Sequence, residues 1–320
     1  MNMATIPFCN PNRTLVDLHT PIAFSTQYIF IGILYFSTFV VFDATQVLCF
    51  LAICHKKHLQ YPCYKLMFFV SFLDMVNLFD AIGAPGILSF FRIDHCQHGN
   101  IVGIFSRFLM VAWYAYCAAS MILATNRCLE FTYAPLAHAL FDGHKAWFWI
   151  IPICTYALVV EFTTPNAFYF YVPDAGVFNL QTLNKDPTSY NHVANNLTKF
   201  AFVTVAYFVM WCFMKLKING MQTTQMSAAE KKLSIQALLV GVFAGFSTVG
   251  YIAIEYLPFH NVPMIGLVGS YLWASVHVAS AVIYITMNKS IRMTVLEMLN
   301  LKKPAKLSVI SIRTVTALRM

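Results

Sequence analysis

Ionisable side chains inside apolar stretches are the first candidates for chemistry in this chain. Six lie within such stretches: Asp43, Asp74, Asp80, Arg107, Glu161 and Glu255. Arg127 closes another, in "MILATNRCLEF" at residues 121–131, and His277 lies in the last of them. Hydrolysis or group transfer would need paired carboxylates, a Ser/His couple or a phosphate-cradling loop within reach of water. None of these patterns occurs. The nine cysteines have neither CxxC nor Cys/His metal spacing. The chain therefore reads as no enzyme, with no catalytic residue, no metal and no cofactor. Buried charges can instead hold a structure and switch it. Each costs about 2.5–3.5 kcal/mol at mid-membrane, so each needs a reason to be there.

The elements that carry these residues follow from composition. The chain is 59% hydrophobic and 11% charged, less than half the roughly 25% charge of soluble domains. Apolar runs bounded by polar clusters fall at about 28–54, 64–90, 101–126, 146–170, 197–214, 233–257 and 262–287. The runs are long enough to span a bilayer, which takes about 20 residues each. Proline and glycine inside them do not veto a spanning helix. Residues 1–20 are polar and lack the pattern of a cleaved leader, so the first apolar run is expected to target the chain and stay. The net charge of +8 is spread in short clusters between apolar runs, a membrane pattern that argues against nucleic acid as partner.

Sixteen of the 21 Lys and Arg residues fall on the side that holds the carboxyl terminus. Arg13, Arg92, Lys185 and Lys199 are assigned to the other side. Positive charge accumulates on cytoplasmic loops, which puts the amino terminus outside. The division is an extracellular segment at 1–27, a membrane domain at 28–300 and a basic cytoplasmic tail at 301–320. Asn12 opens an Asn-Arg-Thr glycosylation acceptor. Cys9 and Cys96 are the two cysteines on the outer side, an oxidising compartment, and form a candidate disulfide.

Asn126-Arg127-Cys128 resembles the acidic-Arg-aromatic triplet that closes span three of rhodopsin-like G-protein-coupled receptors. Pro62 and Asp74 keep the spacing of those receptors' first inner loop and span-two aspartate. Tyr284 to Arg292 ("YITMNKSIR") resembles the end of span seven and the start of an eighth helix. Glu230 stands before span six, where an acidic partner for the span-three arginine is often found. Departures are as marked: Ser280-Ala281 replace Asn-Pro, span six lacks Cys-Trp-x-Pro, residues 171–195 hold no cysteine, and span seven has no lysine. Together with "LATNRCLEF" and "IYITMNKSIR", they resemble the nematode serpentine chemoreceptors of class T (Srt), over about residues 28–300.

That resemblance implies an all-α membrane protein, a seven-transmembrane helix bundle with a short amphipathic eighth helix. It implies a chemosensory receptor in the plasma membrane of sensory neurons or their cilia, a heterotrimeric G protein as partner and an external small-molecule or peptide ligand. On it, Asn126, Arg127, Cys128, Glu230 and Tyr284 form the coupling end and its resting restraint. A seven-span ligand-gated cation channel is the alternative, although such channels place the amino terminus inside.

Depth and rotation give further expectations. Counted from the inner boundary at about 1.5 Å per residue, Asp43, Asp74, Tyr116, His277 and Ser280 fall roughly 13–18 Å deep and form one polar layer. Asp74 and His277 are expected to pair within it. Arg107 lies about 200° around the helix from Arg127 and is directed towards Glu161. Leu109, Trp113, Tyr251 and Tyr271 are candidates to line an aromatic outer cavity.

Overall fold

The computed structural model describes residues 27–98, 100–164, 169–173, 176–179, 190–219, 228–256 and 265–301. The long elements are α1 (Gln27–Ile53), α3 (Pro62–Leu78) continued through a π-helical turn (Phe79–Gly83) into α4 (Ala84–Phe90), α6 (Asn100–Thr132), α9 (Ile150–Thr163), α10 (Tyr190–Asn219), α11 (Ala228–Tyr256) and α12 (Ile265–Met287). Short helices α2 (Lys56–Leu59), α5 (His95–His98), α7 (Ala134–Phe141) and α8 (Lys145–Phe148) join them, and α13 (Lys289–Met298) follows α12. Among the described residues, six helices are long and apolar enough to cross a membrane; α11 adds an apolar stretch at Leu238–Gly250. The chain is an all-α membrane protein. Among the described residues the one departure is a two-stranded antiparallel hairpin, β1 (Phe170–Val172) and β2 (Val177–Asn179).

The surface is inverted relative to a soluble protein. Phe30, Val41, Ile104, Phe108, Ile151, Phe162, Phe208 and Phe246 are exposed, while Asp74, Asn77, His277 and Ser280 are buried. Lipid accepts the first set, and only internal hydrogen bonds can satisfy the second. α6 packs against α3, α9 and α10, and α11 against α10 and α12. α1 and α4 touch through glycines: a Cβ on Gly32 would stand 2.6 Å from the Phe90 backbone nitrogen, and one on Gly86 2.8 Å from that of Phe36. Small residues allow backbones this close, and the contact area replaces the hydrophobic drive that lipid removes.

The π turn has a local cause. Pro85 has no N–H and its ring crowds the carbonyl four residues back, so the helix cannot pass it with regular bonds. Instead the Ala84 N–H reaches the Phe79 carbonyl, five residues back, and the turn widens. Asp80 sits in that widened turn.

Three boundaries differ most from the sequence reading. The fourth span ends at Thr163, and Phe170 belongs to the hairpin. α6 runs on to Thr132, so Arg127 lies inside the helix. α10 starts at Tyr190, seven residues before the apolar run. Its first turns are polar because they bond to neighbouring helices: Asn191 donates to Thr164 at 2.9 Å and Tyr156 donates to Asn195 at 2.8 Å. A hydropathy count reads such residues as loop. Lys199, assigned to the outer side, is corrected by the same shift: it is 3% exposed, inside the bundle.

Candidate functional site

Among the described residues, an outer and an inner cavity lie within the bundle, separated by a layer of aromatic and polar side chains. The outer one measures about 600 Å³, counted with its open mouth. Asp80, Ser106, Trp113, Ser247 and Trp273 line it, and Tyr169 and Phe178 contribute to its wall from beside and within the hairpin. The hairpin is fixed there by Tyr171, which shares a 2.7 Å hydrogen bond with Ser89, and by Tyr35, which donates to the Gly176 carbonyl at 3.0 Å. Gly176 has φ +68°, and a Cβ there would meet Ile31 at 2.9 Å, so that corner needs glycine.

Trp113 forms the floor. Its indole N–H donates to Asn196 at 2.9 Å, and its ring contacts Tyr116, Trp273 and His277 at centroid distances of 5.7, 5.5 and 6.0 Å. Beneath it Asp74 and His277 are fully buried and 2.8 Å apart, Nδ1 to Oδ1. The carboxylate only accepts, so Nδ1 carries its hydrogen, and the unprotonated or protonated state rests on Nε2, which has no partner among the described residues. Ser280 donates to the other carboxylate oxygen at 2.8 Å. Lys199 completes the group, its ammonium 4.7 Å from the Trp113 ring centroid and 4.4 Å from that of Tyr116.

The inner cavity, about 630 Å³ on the same measure, runs from Asp74, Tyr116, Lys199 and Ser280 down to Tyr207, Tyr284 and Arg127. Arg127 is 8% exposed. Its guanidinium donates to the Met67 sulfur at 3.4 Å and lies 3.9 Å from Glu130, one turn along the same helix. Asn126 is buried with its Oδ1 unpartnered among the described residues. At this end Asn288 caps α13 by accepting from the Ser290 and Ile291 N–H groups, and donates to Tyr64 at 3.0 Å. Ile291, Thr294 and Val295 form the buried face of α13. His58 and Thr294 share a 3.2 Å hydrogen bond, which ties α13 to the first inner loop. Burial first, then the charges of Lys57 and His55, push the His58 imidazole down to about 4.

The family profile described as serpentine type 7TM GPCR chemoreceptor Srt matches residues 16–308. The chain belongs to the Srt family. No curated protein matches it. An Srt chain is a multi-pass membrane protein and a chemoreceptor of the serpentine, GPCR type, as the apolar helices and the eighth helix here accord with.

Within this Srt bundle the residues named from sequence divide into those brought together and those kept apart. Asp74, Tyr116, His277 and Ser280 meet; Tyr116 lies 4.6 Å from His277, ring to ring. Asp43 does not join them. It is half-buried on α1, while Gln46 turns inward and donates to Ser71 at 3.1 Å. Depth along an axis leaves rotation about it unset, which is why Asp43 was misplaced in the layer. Arg107 donates to Glu161 at 2.9 Å, and Tyr169 donates to the other Glu161 oxygen at 3.4 Å. Trp113 lines the outer cavity, whereas Tyr271 bonds Thr38 of α1 at 2.9 Å and Leu109 is buried without lining it. Cys128 is a half-buried free thiol, and Tyr284 faces the inner cavity. Cys96 is disulfide-bonded. Cys9 and Asn12 lie outside the described residues, as do the side chains of Glu230 and Tyr251. Sequence reasoning missed Lys199 and Glu130. The signal for Glu130 was present, an acid three residues after Arg127.

Proposed function

We propose that the chain is a G-protein-coupled chemosensory receptor whose ligand occupies the outer cavity and whose inner face, around Arg127, engages a heterotrimeric G protein. The amino terminus faces outside and the carboxyl terminus the cytoplasm, in the membrane of a sensory neuron. The observation that carries this reading is continuity. Trp113 touches the outer cavity, His277 and Lys199, and the Asp74 group opens directly into the cavity that holds Arg127. A ligand that displaces Trp113 therefore changes the packing of every polar group above Arg127. The coupling end is restrained lightly, since the one ion pair Arg127 makes among the described residues is the 3.9 Å contact with Glu130. Separation of the inner helix ends would expose a guanidinium that loses little in leaving.

The test is Arg127→Ala in cells with a G-protein reporter. Surface expression is expected near normal and agonist-driven signalling lost; normal signalling at equal expression would sink the proposal. Glu130→Ala and Glu230→Ala, made separately, should identify the restraining acid by which of them raises basal activity.

A further inference from the structure

Asp80 is the one acidic side chain in the outer cavity wall among the described residues. It is 2% exposed and has no hydrogen-bond or ion-pair partner among them. Trp273 stands in the same wall with its buried indole N–H unpartnered among the described residues. A buried carboxylate without a counter-charge is among the least favourable groups a membrane protein can hold. The other fully buried acids on the described long helices are matched: Asp74 with His277 and Ser280, and Glu161 with Arg107 and Tyr169. Asp80 is the exception, and it is carried by the π turn, a distortion that recurs at functional positions.

We propose that the outer cavity binds a small organic ammonium ion, with Asp80 as its counter-charge and the Trp113–Trp273 pair as its aromatic wall. This rests on the reading of that cavity as the ligand site and adds the chemical class. The wall carries no Lys or Arg among its described residues, which disfavours a carboxylate or phosphate ligand. Lys199 lines the inner cavity and already lies against Trp113, so Trp273 is the ring left for a ligand's cation. Indole faces attract ammonium most strongly of the aromatic side chains, more so once water is excluded. Ser106, Ser247 and Asn196 supply hydroxyl and amide groups for the remaining polar atoms.

A charge-selective probe tests this without knowing the natural ligand. Ser247→Cys is introduced into full-length receptor carrying Cys154→Ser, which removes the exposed native thiol. Its modification rates by an aminoethyl and a sulfonatoethyl methanethiosulfonate are then compared, after subtraction of the rates without Ser247→Cys. With each rate normalised to that reagent's rate with a small free thiol in solution, the cationic reagent is expected to be favoured by about tenfold, and Asp80→Asn, which keeps shape and removes charge, should abolish that preference. Equal rates with Asp80 present overturn the ammonium proposal and leave the cavity reading intact. Reaction by neither reagent shows a cavity closed to water and overturns both. As an independent measurement, 2-phenylethylamine should raise the receptor's melting temperature in detergent, whereas 2-phenylethanol and phenylacetate should not. Stabilisation by the alcohol or the acid equal to that by the amine counts against the proposal, as does an amine effect that survives Asp80→Asn.

Discussion

Asp74→Ala is the substitution whose cost the structure defines best. Both carboxylate oxygens are engaged at 2.8 Å, by His277 Nδ1 and Ser280 Oγ, and Asp74 and His277 are wholly inaccessible. Alanine orphans the His277 N–H, whereas Ser280 keeps the His277 carbonyl at 2.8 Å, so a loss of about 1–3 kcal/mol is expected. His277→Ala removes one of those bonds and the 4.6 Å ring contact with Tyr116, and should cost about 3 kcal/mol. In the double variant the imidazole is no longer orphaned, and the summed loss should fall short by about 1–2 kcal/mol. Asp74→Asn keeps an acceptor for Nδ1 and should cost less than alanine. Thermal unfolding of the full chain in detergent reads these values at roughly 2–4 °C per kcal/mol. Losses additive within about 0.5 kcal/mol would refute the pairing. So would a large stabilisation by sodium over choline in the unaltered protein, because the carboxylate would then serve an ion and not the imidazole.

The eighth helix should undock as the pH falls. The His58 imidazole titrates near 6.5 when released and near 4 when docked, so the released form takes the proton first. Docking is then intact above about 6.5 and lost progressively towards 4, as an environment-sensitive label at Leu299 would report; His58→Phe should flatten the profile, and an unchanged profile refutes the assignment. Arg107→Glu should lower the melting temperature and added Glu161→Arg should recover part of it; no recovery would mean that the 2.9 Å contact contributes little. A tag placed before residue 10 should be cleaved on intact cells and Asn12→Gln should remove a glycan-sized mass; access only after permeabilisation overturns the orientation. Peptide mapping without reductant should recover Cys9 linked to Cys96, and two free thiols would sink that pairing.

The membrane class, the positions of the helices and the Srt membership were legible because they depend on local quantities: apolar run length, and short motifs such as "NRCLEF" and "IYITMNKSIR". Three of the layer's members on α3 and α12 were legible too. Asp74 had a fixed depth, and His277 and Ser280 share a face three residues apart. What escaped depends on partners. Lys199 looked like an outer-edge lysine because Asn191, Asn195 and Asn196 before it are polar, and only their contacts with Thr164, Tyr156 and Trp113 make them helix. Asp43 shared the layer's depth but not its rotation. The π turn at Asp80 follows from Pro85, yet one proline does not specify whether a helix kinks, stops or widens.

Lys199 also bears on how the two cavities can communicate. A buried lysine needs a matched environment, and here it has two rings within 5 Å and the Asp74 carboxylate on the same cavity wall. A tethered ammonium differs from a bound metal ion in one respect: its presence does not vary with salt. The state of the layer is then set by geometry. Trp113 belongs to both sides, its ring against Lys199 below and its edge on the outer cavity above. Desolvated ring–ammonium contacts contribute about 2 kcal/mol, and ligand-to-effector couplings are typically about 1–3 kcal/mol. One such contact, made or broken by a shift of Trp113, is therefore large enough to carry most of a receptor's response. Because the same ammonium faces Asp74, its displacement also changes the field at His277 and, through the continuous inner cavity, at Tyr284 and Arg127.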